Sequence, residues 1–378
     1  MPRPSTSPTP WTVQDIVDLE YLLSKDAEGD FTARWRADRA IFESLVQANA
    51  PEALERDRRA VFQSWLRFRR LEGQYLPGED LTATWKAIVS VLVAMAFFYG
   101  LLHAGALLAF ERDEHVSATR FFLLTVGLQL LLTSCGLLFF FGRRTLHQHF
   151  GTFESLRVKL VTGLLRSRWL SWGNDNLRRA VPRLIRRRSL YRRLVFGHIV
   201  FATQLAFIGM SAGIIVSLMA YHFAYRDVRF GWSATHAWEA ADISRAVEVA
   251  SKPWAWVMPA ARPTLAQVEE SHLSAEMPAK RVSAEASRAW AGFLVAAIVF
   301  YGIALRLLFA AIALRGAAQQ RRTLRFNHPE GDQLWLRLTT PLPQEPTQAD
   351  SAPQPPTPKT RWALRWPGWP WQRRRPVR

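Results

Sequence analysis

Cysteine is almost missing from this chain. The single one, Cys135, excludes an intrachain disulfide and any zinc site built from clustered thiolates. Acidic residues are missing from four long stretches, 85–110, 121–141, 194–221 and 290–314. Each stretch reaches the roughly 20 residues, predominantly apolar, that cross a hydrocarbon core. A basic-then-apolar start is also lacking: residues 1–10 are rich in Pro, Ser and Thr, so no cleaved leader is expected. The first apolar run then serves as the insertion signal. No Gly-rich phosphate loop ending in Lys-Ser or Lys-Thr occurs, and no His-Glu-x-x-His helix. A nucleophile elbow is absent as well, since Gly209-Met-Ser-Ala-Gly213 lies inside an apolar run and not at a strand-to-helix turn. No catalytic, cofactor or metal residue is expected, and the chain reads as non-enzymatic.

What is present is a set of four spans separated by Arg-rich segments. The fold expected is all-α: a polytopic membrane protein with a small helical block at 1–84. Spans at 85–110, 121–141, 194–221 and 290–314 alternate with loops at 111–120, 142–193 and 222–289. A juxtamembrane segment follows at 315–340, then a Pro-rich and Trp/Arg-rich tail at 341–378 with no room for a core.

Charge sets the expected orientation. The formal net charge is +18. Loop 142–193 concentrates arginines, opposed only by Glu154 and Asp175, and the tail after the fourth run opens with Arg315, Arg321, Arg322 and Arg325. Loops 111–120 and 222–289 balance their bases with acids. Positive residues stay inside, so both termini and loop 142–193 are expected in the cytoplasm. Anionic lipid explains this charge more economically than nucleic acid does. Within the basic loop, Arg183, Arg186, Arg187, Arg188, Arg192 and Arg193 interleave with Leu and Ile at helical spacing. They are the expected headgroup contacts of an amphipathic helix.

The N-terminal block reads as two or three helices. Thr12 and Asp15 suggest a capping box ahead of Ile16, Leu19, Leu22 and Leu23, and Gly29-Asp30 breaks the pattern before Phe31. A further helix is expected from Pro51, with Val61, Phe62, Trp65, Leu66 and Phe68 inward and Arg58, Arg59, Arg67, Arg69 and Arg70 outward. Around 334–338 a short apolar element is expected.

Polar residues inside spans are costly and so informative. They are His103, Gln129, His198, Gln204 and Arg306. His198 and Arg306 are expected to snorkel towards the cytoplasmic face, while Gln129 and Gln204 bond across helices. Gly209 and Gly213 mark a close helix contact, within one chain or between two. In the outer segment His222, Asp227, His236, Glu239, Asp242 and His272 have no specific metal spacing. Its Trp and Pro cluster, Lys252-Pro-Trp-Ala-Trp-Val-Met-Pro259, is expected to rest at the outer interface.

That outer segment also carries a family resemblance. Arg226-Asp-Val-Arg-Phe-Gly-Trp-Ser-Ala-Thr235, Lys252–Pro259, Arg262-Pro-Thr264 and Val268-Glu-Glu-Ser271 resemble an uncharacterised family of bacterial inner-membrane proteins. Asp15-Ile-Val-Asp-Leu-Glu-Tyr-Leu-Leu23 fits its N-terminal pattern. The motif positions are Phe230, Gly231, Trp232, Thr235, Pro253, Trp254, Pro259, Pro263 and Ser271. The chain departs from the pattern at Ala234 and His272. The resemblance implies a neighbouring Era-like GTPase as a partner and supplies no catalytic residues. The function expected is a membrane anchor or scaffold for a cytoplasmic partner. A channel or transporter, possibly as a homo-oligomer, is the alternative.

Overall fold

A computed structural model describes residues 10–48, 57–109, 115–142, 191–224, 229–233, 238–273 and 282–342. Helix α1 (Val13–Asp26) starts at the capping box: Thr12 Oγ1 accepts from Asp15 N at 3.1 Å, and the Asp15 carboxylate accepts from Thr12 N at 2.9 Å. Its Ile16, Leu19, Leu22 and Leu23 are buried on one side. Helix α2 (Phe31–Ala48) follows the break, with Asp30 accepting from Thr32 N. Helix α3 (Arg58–Leu71) is capped by the Asp57 side chain, and any start at Pro51 lies outside the described residues. Two expectations about α3 need correction. Phe68 is partly exposed, and Arg69 is fully buried, because it meets Asp26 of α1 at 3.0 Å.

Four helices are long and apolar enough to cross a membrane, so this is a multi-pass helical membrane protein. They are α4 (Gly78–Ala109), the continuous helix α5 over 118–142, α6 (Arg192–Ala224) and α9 over 284–323. Both α5 and α9 contain a π-helical turn, at Leu123–Gly127 and Ile298–Ala304. Helix α6 packs along α4 and α9. A Cβ on Gly213 would run into the Phe97 carbonyl, and one on Gly209 would lie 2.8 Å from the Val93 carbonyl. The close contact marked by these two glycines is therefore made within one chain.

The two ends of the bundle are capped differently. At the end where the terminal segments meet, α1–α3 are closed by helix α10 (Pro329–Thr339), whose Leu334 and Leu338 are fully buried among Leu19, Phe62 and Trp65. This is the terminal side. At the opposite, loop side, strands β1 (His115–Ser117) and β2 (Arg229–Gly231) form a parallel ladder pairing Val116 with Phe230. Helices α7 (Ala240–Ser251) and α8 (Leu265–Glu270) complete that cap. The ladder was not legible in the sequence, because its strands are three residues long and separated by two spans.

Candidate functional site

The least expected feature lies between the spans. Arg306 does not snorkel: it is 1% exposed and points into the bundle. Its Nη2 donates to the Gln129 carbonyl oxygen at 2.8 Å, its Nη1 to Gln204 Oε1 at 3.4 Å, and its guanidinium lies 4.4 Å from the Phe207 ring centroid. Its Nε has no partner among the described residues. Of the two glutamines, only Gln204 meets Arg306 through its side chain; Gln129 meets it through the backbone carbonyl. The preceding π-helical turn explains the direction. An extra residue in that turn rotates everything after it about the helix axis. Gly302, in the same turn, lets α9 approach Ser211, whose Oγ a Cβ there would meet at 2.5 Å. Ser211 Oγ donates to Gln129 Oε1 at 3.4 Å. That serine sits mid-helix with a glutamine beside it, which is no arrangement for a nucleophile. No carboxylate among the described residues reaches Arg306, and within them its charge is met by neutral groups alone. His198 instead bonds the Leu194 carbonyl of its own helix, and His103 stacks on Tyr99.

The terminal side carries a second polar centre. Asp26 is approached by Arg69 at 3.0 Å, Arg34 at 3.3 Å and Arg337 at 3.6 Å. Asp38 accepts from Trp65 Nε1 at 2.8 Å and lies 2.9 Å from Arg337 Nε. Burial pushes the Asp38 carboxyl above its ordinary value, against the pull of Arg337 and Trp65. These contacts join α1, α2 and α3 to α10. Two further contacts join the unit to spans. Asp18 accepts from Gly78 N, the first residue of α4, at 2.7 Å, and Arg70 meets Asp18 at 2.7 Å. Glu20 accepts from the Tyr191 hydroxyl beside α6 and lies 3.0 Å from His328 Nε2. A groove of about 300 Å³ opens between α1, α2 and α10, lined by Asp26, Phe31, Glu330 and Arg337 among others. The sequence offered no signal for this network beyond acids at apolar-looking spacing in α1 and α2.

On the loop side the motif residues Phe230, Trp232 and Trp254 share one packed core. Trp232 is buried and donates from Nε1 to the Val268 carbonyl at 2.6 Å. Its backbone pairs with Ser271 O and Leu273 N. Ser271 Oγ accepts from Trp290 Nε1 at 2.9 Å. Phe230 N donates to Ser287 Oγ, which pins β2 to α9. Gly231 is needed for close approach and not for an unusual backbone angle: a Cβ would sit 2.6 Å from the Ser271 carbonyl, and φ is not positive there. Trp254 is buried, Pro263 is buried, and Pro259 opens a short 3₁₀ turn. Pro253 is half-buried at the end of α7. Asp242 caps α7, and His272 stacks on Trp232 at 4.2 Å. No group of three metal-ligating side chains occurs among the described residues. Thr235, Arg183, Arg186, Arg187 and Arg188 lie outside the described residues, and Arg192 and Arg193 open α6.

No curated protein and no solved structure matches the chain. A family model described as "Protein of unknown function (DUF2868)" matches residues 165–363, more than half of the 378. The matched range takes in the core around Trp232, the intramembrane Arg306 and the closing helix α10, but not α1–α3. On that match the chain belongs to the DUF2868 family.

Proposed function

We propose that the protein is a non-enzymatic anchor in a bacterial inner membrane, with both termini in the cytoplasm, and that it holds a cytoplasmic partner on its terminal-side helical unit. One observation carries this reading. The unit is assembled from both ends of the chain around buried Asp26 and Asp38, and is keyed into α4 by Asp18 and to the start of α6 by Tyr191. A partner seated on such a unit is held rigidly relative to the bilayer. An Era-like GTPase is the partner that the family resemblance implies. Arginine headgroup contacts from 178–193 would hold the basic loop against anionic lipid, at about 1 kcal/mol per basic residue near the surface.

The test is co-purification of a co-expressed Era-like GTPase with the full chain in mild detergent. Leu334→Asp with Leu338→Asp unseats α10 and should release the partner while the chain stays in the membrane. Retention by that double variant, or no association with the wild type, rejects the platform.

Arg306 favours a second reading, in which the four spans pass a small anion, alone or as a homo-oligomer. Chloride flux in proteoliposomes that is abolished by Arg306→Leu would establish it in place of the anchor.

A further inference from the structure

Residues 252–258 form a turn between α7 and the 3₁₀ turn Pro259–Ala261. We infer that this turn is inserted into the loop-side leaflet as a lipid wedge, with Trp256, Val257 and Met258 among the acyl chains, deeper than a surface-resting loop.

Vertical register is the first argument. The turn packs on α9 through Trp254, whose ring lies 5.8 Å from Phe293, 6.1 Å from Phe300 and 5.8 Å from Tyr301. The Tyr301 hydroxyl donates to the Ala250 carbonyl at 2.9 Å. Tyr301 lies roughly 15 Å along the helix axis from Trp290, where the apolar run of α9 begins. A helical side chain leans back towards its N-terminus, which makes the contact shallower by a side-chain length and leaves it below Trp290. Cross-helix contacts place the same level on the other spans. Gly302 abuts Ser211 of α6, and the neighbouring Met210 abuts Gly100 of α4. Around Gly100, the side chains of Phe98, Tyr99 and Leu102 are 58%, 56% and 70% exposed, which is the lipid-facing belt of the bundle. Phe300 is itself partly exposed and touches Trp254, so the belt runs on into the turn.

The second argument is chemical. Trp256 is 82% exposed, Val257 59% and Met258 50%. Three consecutive large apolar side chains on one loop tip are disfavoured in water and favoured in hydrocarbon. Backbone in a bilayer must satisfy its own polar groups. The turn meets that demand for four of its own donors: Trp254 and Ala255 donate to Ser251 O, and Val257 and Met258 to Trp254 O, while Ala261 donates to Met258 O. Even the indole N–H of exposed Trp256 is satisfied internally, by the Pro253 carbonyl at 3.0 Å. Lys252, exposed where the turn begins, has a stem long enough to carry its ammonium to the headgroups.

Site-directed spin labelling of the full chain in proteoliposomes tests this. In a Cys135→Ser background, a label at Met258→Cys is compared with one at Glu269→Cys, an exposed polar position of α8. The Met258→Cys label should show an oxygen-to-nickel-chelate accessibility ratio several-fold above that of the Glu269→Cys label. A ratio equal to that of the Glu269→Cys label puts the turn in water and overturns the inference. Shielding of the Met258→Cys label from both reagents means a protein partner or second copy covers it, and overturns the inference equally. Unchanged elution of both labelled proteins from a sizing column in detergent shows that the substitutions leave the fold intact.

Discussion

Arg306 of the fourth span donates through Nη2 to the backbone carbonyl of Gln129 in the second, at 2.8 Å, and no carboxylate among the described residues answers its charge. The relationship is unusual because the bilayer penalises a lone cation. A central arginine costs about 2.5–3.5 kcal/mol on insertion scales. Two neutral-acceptor hydrogen bonds return about 1.5–3 kcal/mol each at most, and the longer one, at 3.4 Å, returns less. The charge is therefore close to balance or a net cost.

Replacing Arg306 with leucine removes the cost, and Gln129 O keeps its Thr133 hydroxyl donor. We expect Arg306→Leu to leave thermal stability in detergent unchanged or raised, by up to about 2 kcal/mol. Arg306→Lys should lower it, because a point ammonium keeps the charge and loses the planar stacking on Phe207. Marked destabilisation by leucine would mean that a counter-charge neutralises the guanidinium in the membrane.

Gly213→Ala should destabilise the protein by about 1–3 kcal/mol, the usual cost of overpacking. The added methyl meets the Phe97 carbonyl, and backbone cannot move aside as a side-chain tip can. Thermal unfolding and sizing chromatography together decide the point. If the substitution changed the oligomeric state with stability intact, the glycines would serve an interface between copies.

The buried Asp38 should leave a signature in pH. Its carboxyl is raised by burial above the ordinary value of 3.8. Between that value and the raised one, the folded state holds a proton that the unfolded state has released. Stability from this group is thus fully present below 3.8 and is lost as pH rises through the raised value. The melting-temperature difference between wild type and Asp38→Asn should shift against the wild type as pH rises through that window, then level off. A difference that instead grew in favour of the wild type would mean that Arg337 and Trp65 outweigh burial.

Topology is tested by fusions. A reporter active only outside the cytoplasm should give signal when inserted within 238–273 and none when placed after Arg143 or Arg315. The reverse pattern would invert the orientation read from the arginines.

Much of the architecture was legible because each signal was local. The capping box at Thr12 and Asp15 needs only three residues, and the four spans need only long runs free of acids. Arg69 shows the limit. Its place among arginines at helical spacing implied a solvated face, yet Asp26, far away in sequence, draws it into the core. Gly231 shows another: the sequence marks it only as a motif position, and what a side chain there would strike is the Ser271 backbone opposite. For Gly209 and Gly213 the spacing signalled a close contact, and only packing revealed the partner as α4 of the same chain.

The sequence by itself determined that four helices cross the bilayer, since hydrophobic length and charge bias act residue by residue against a uniform solvent. Tertiary structure alone decided that Arg306 turns inward, that α10 closes the terminal unit, and that 252–258 lies against α9 below Trp290. Each of those depends on which distant group supplies a hydrogen bond, a counter-charge or a packing surface, and such pairings leave no trace in local spacing.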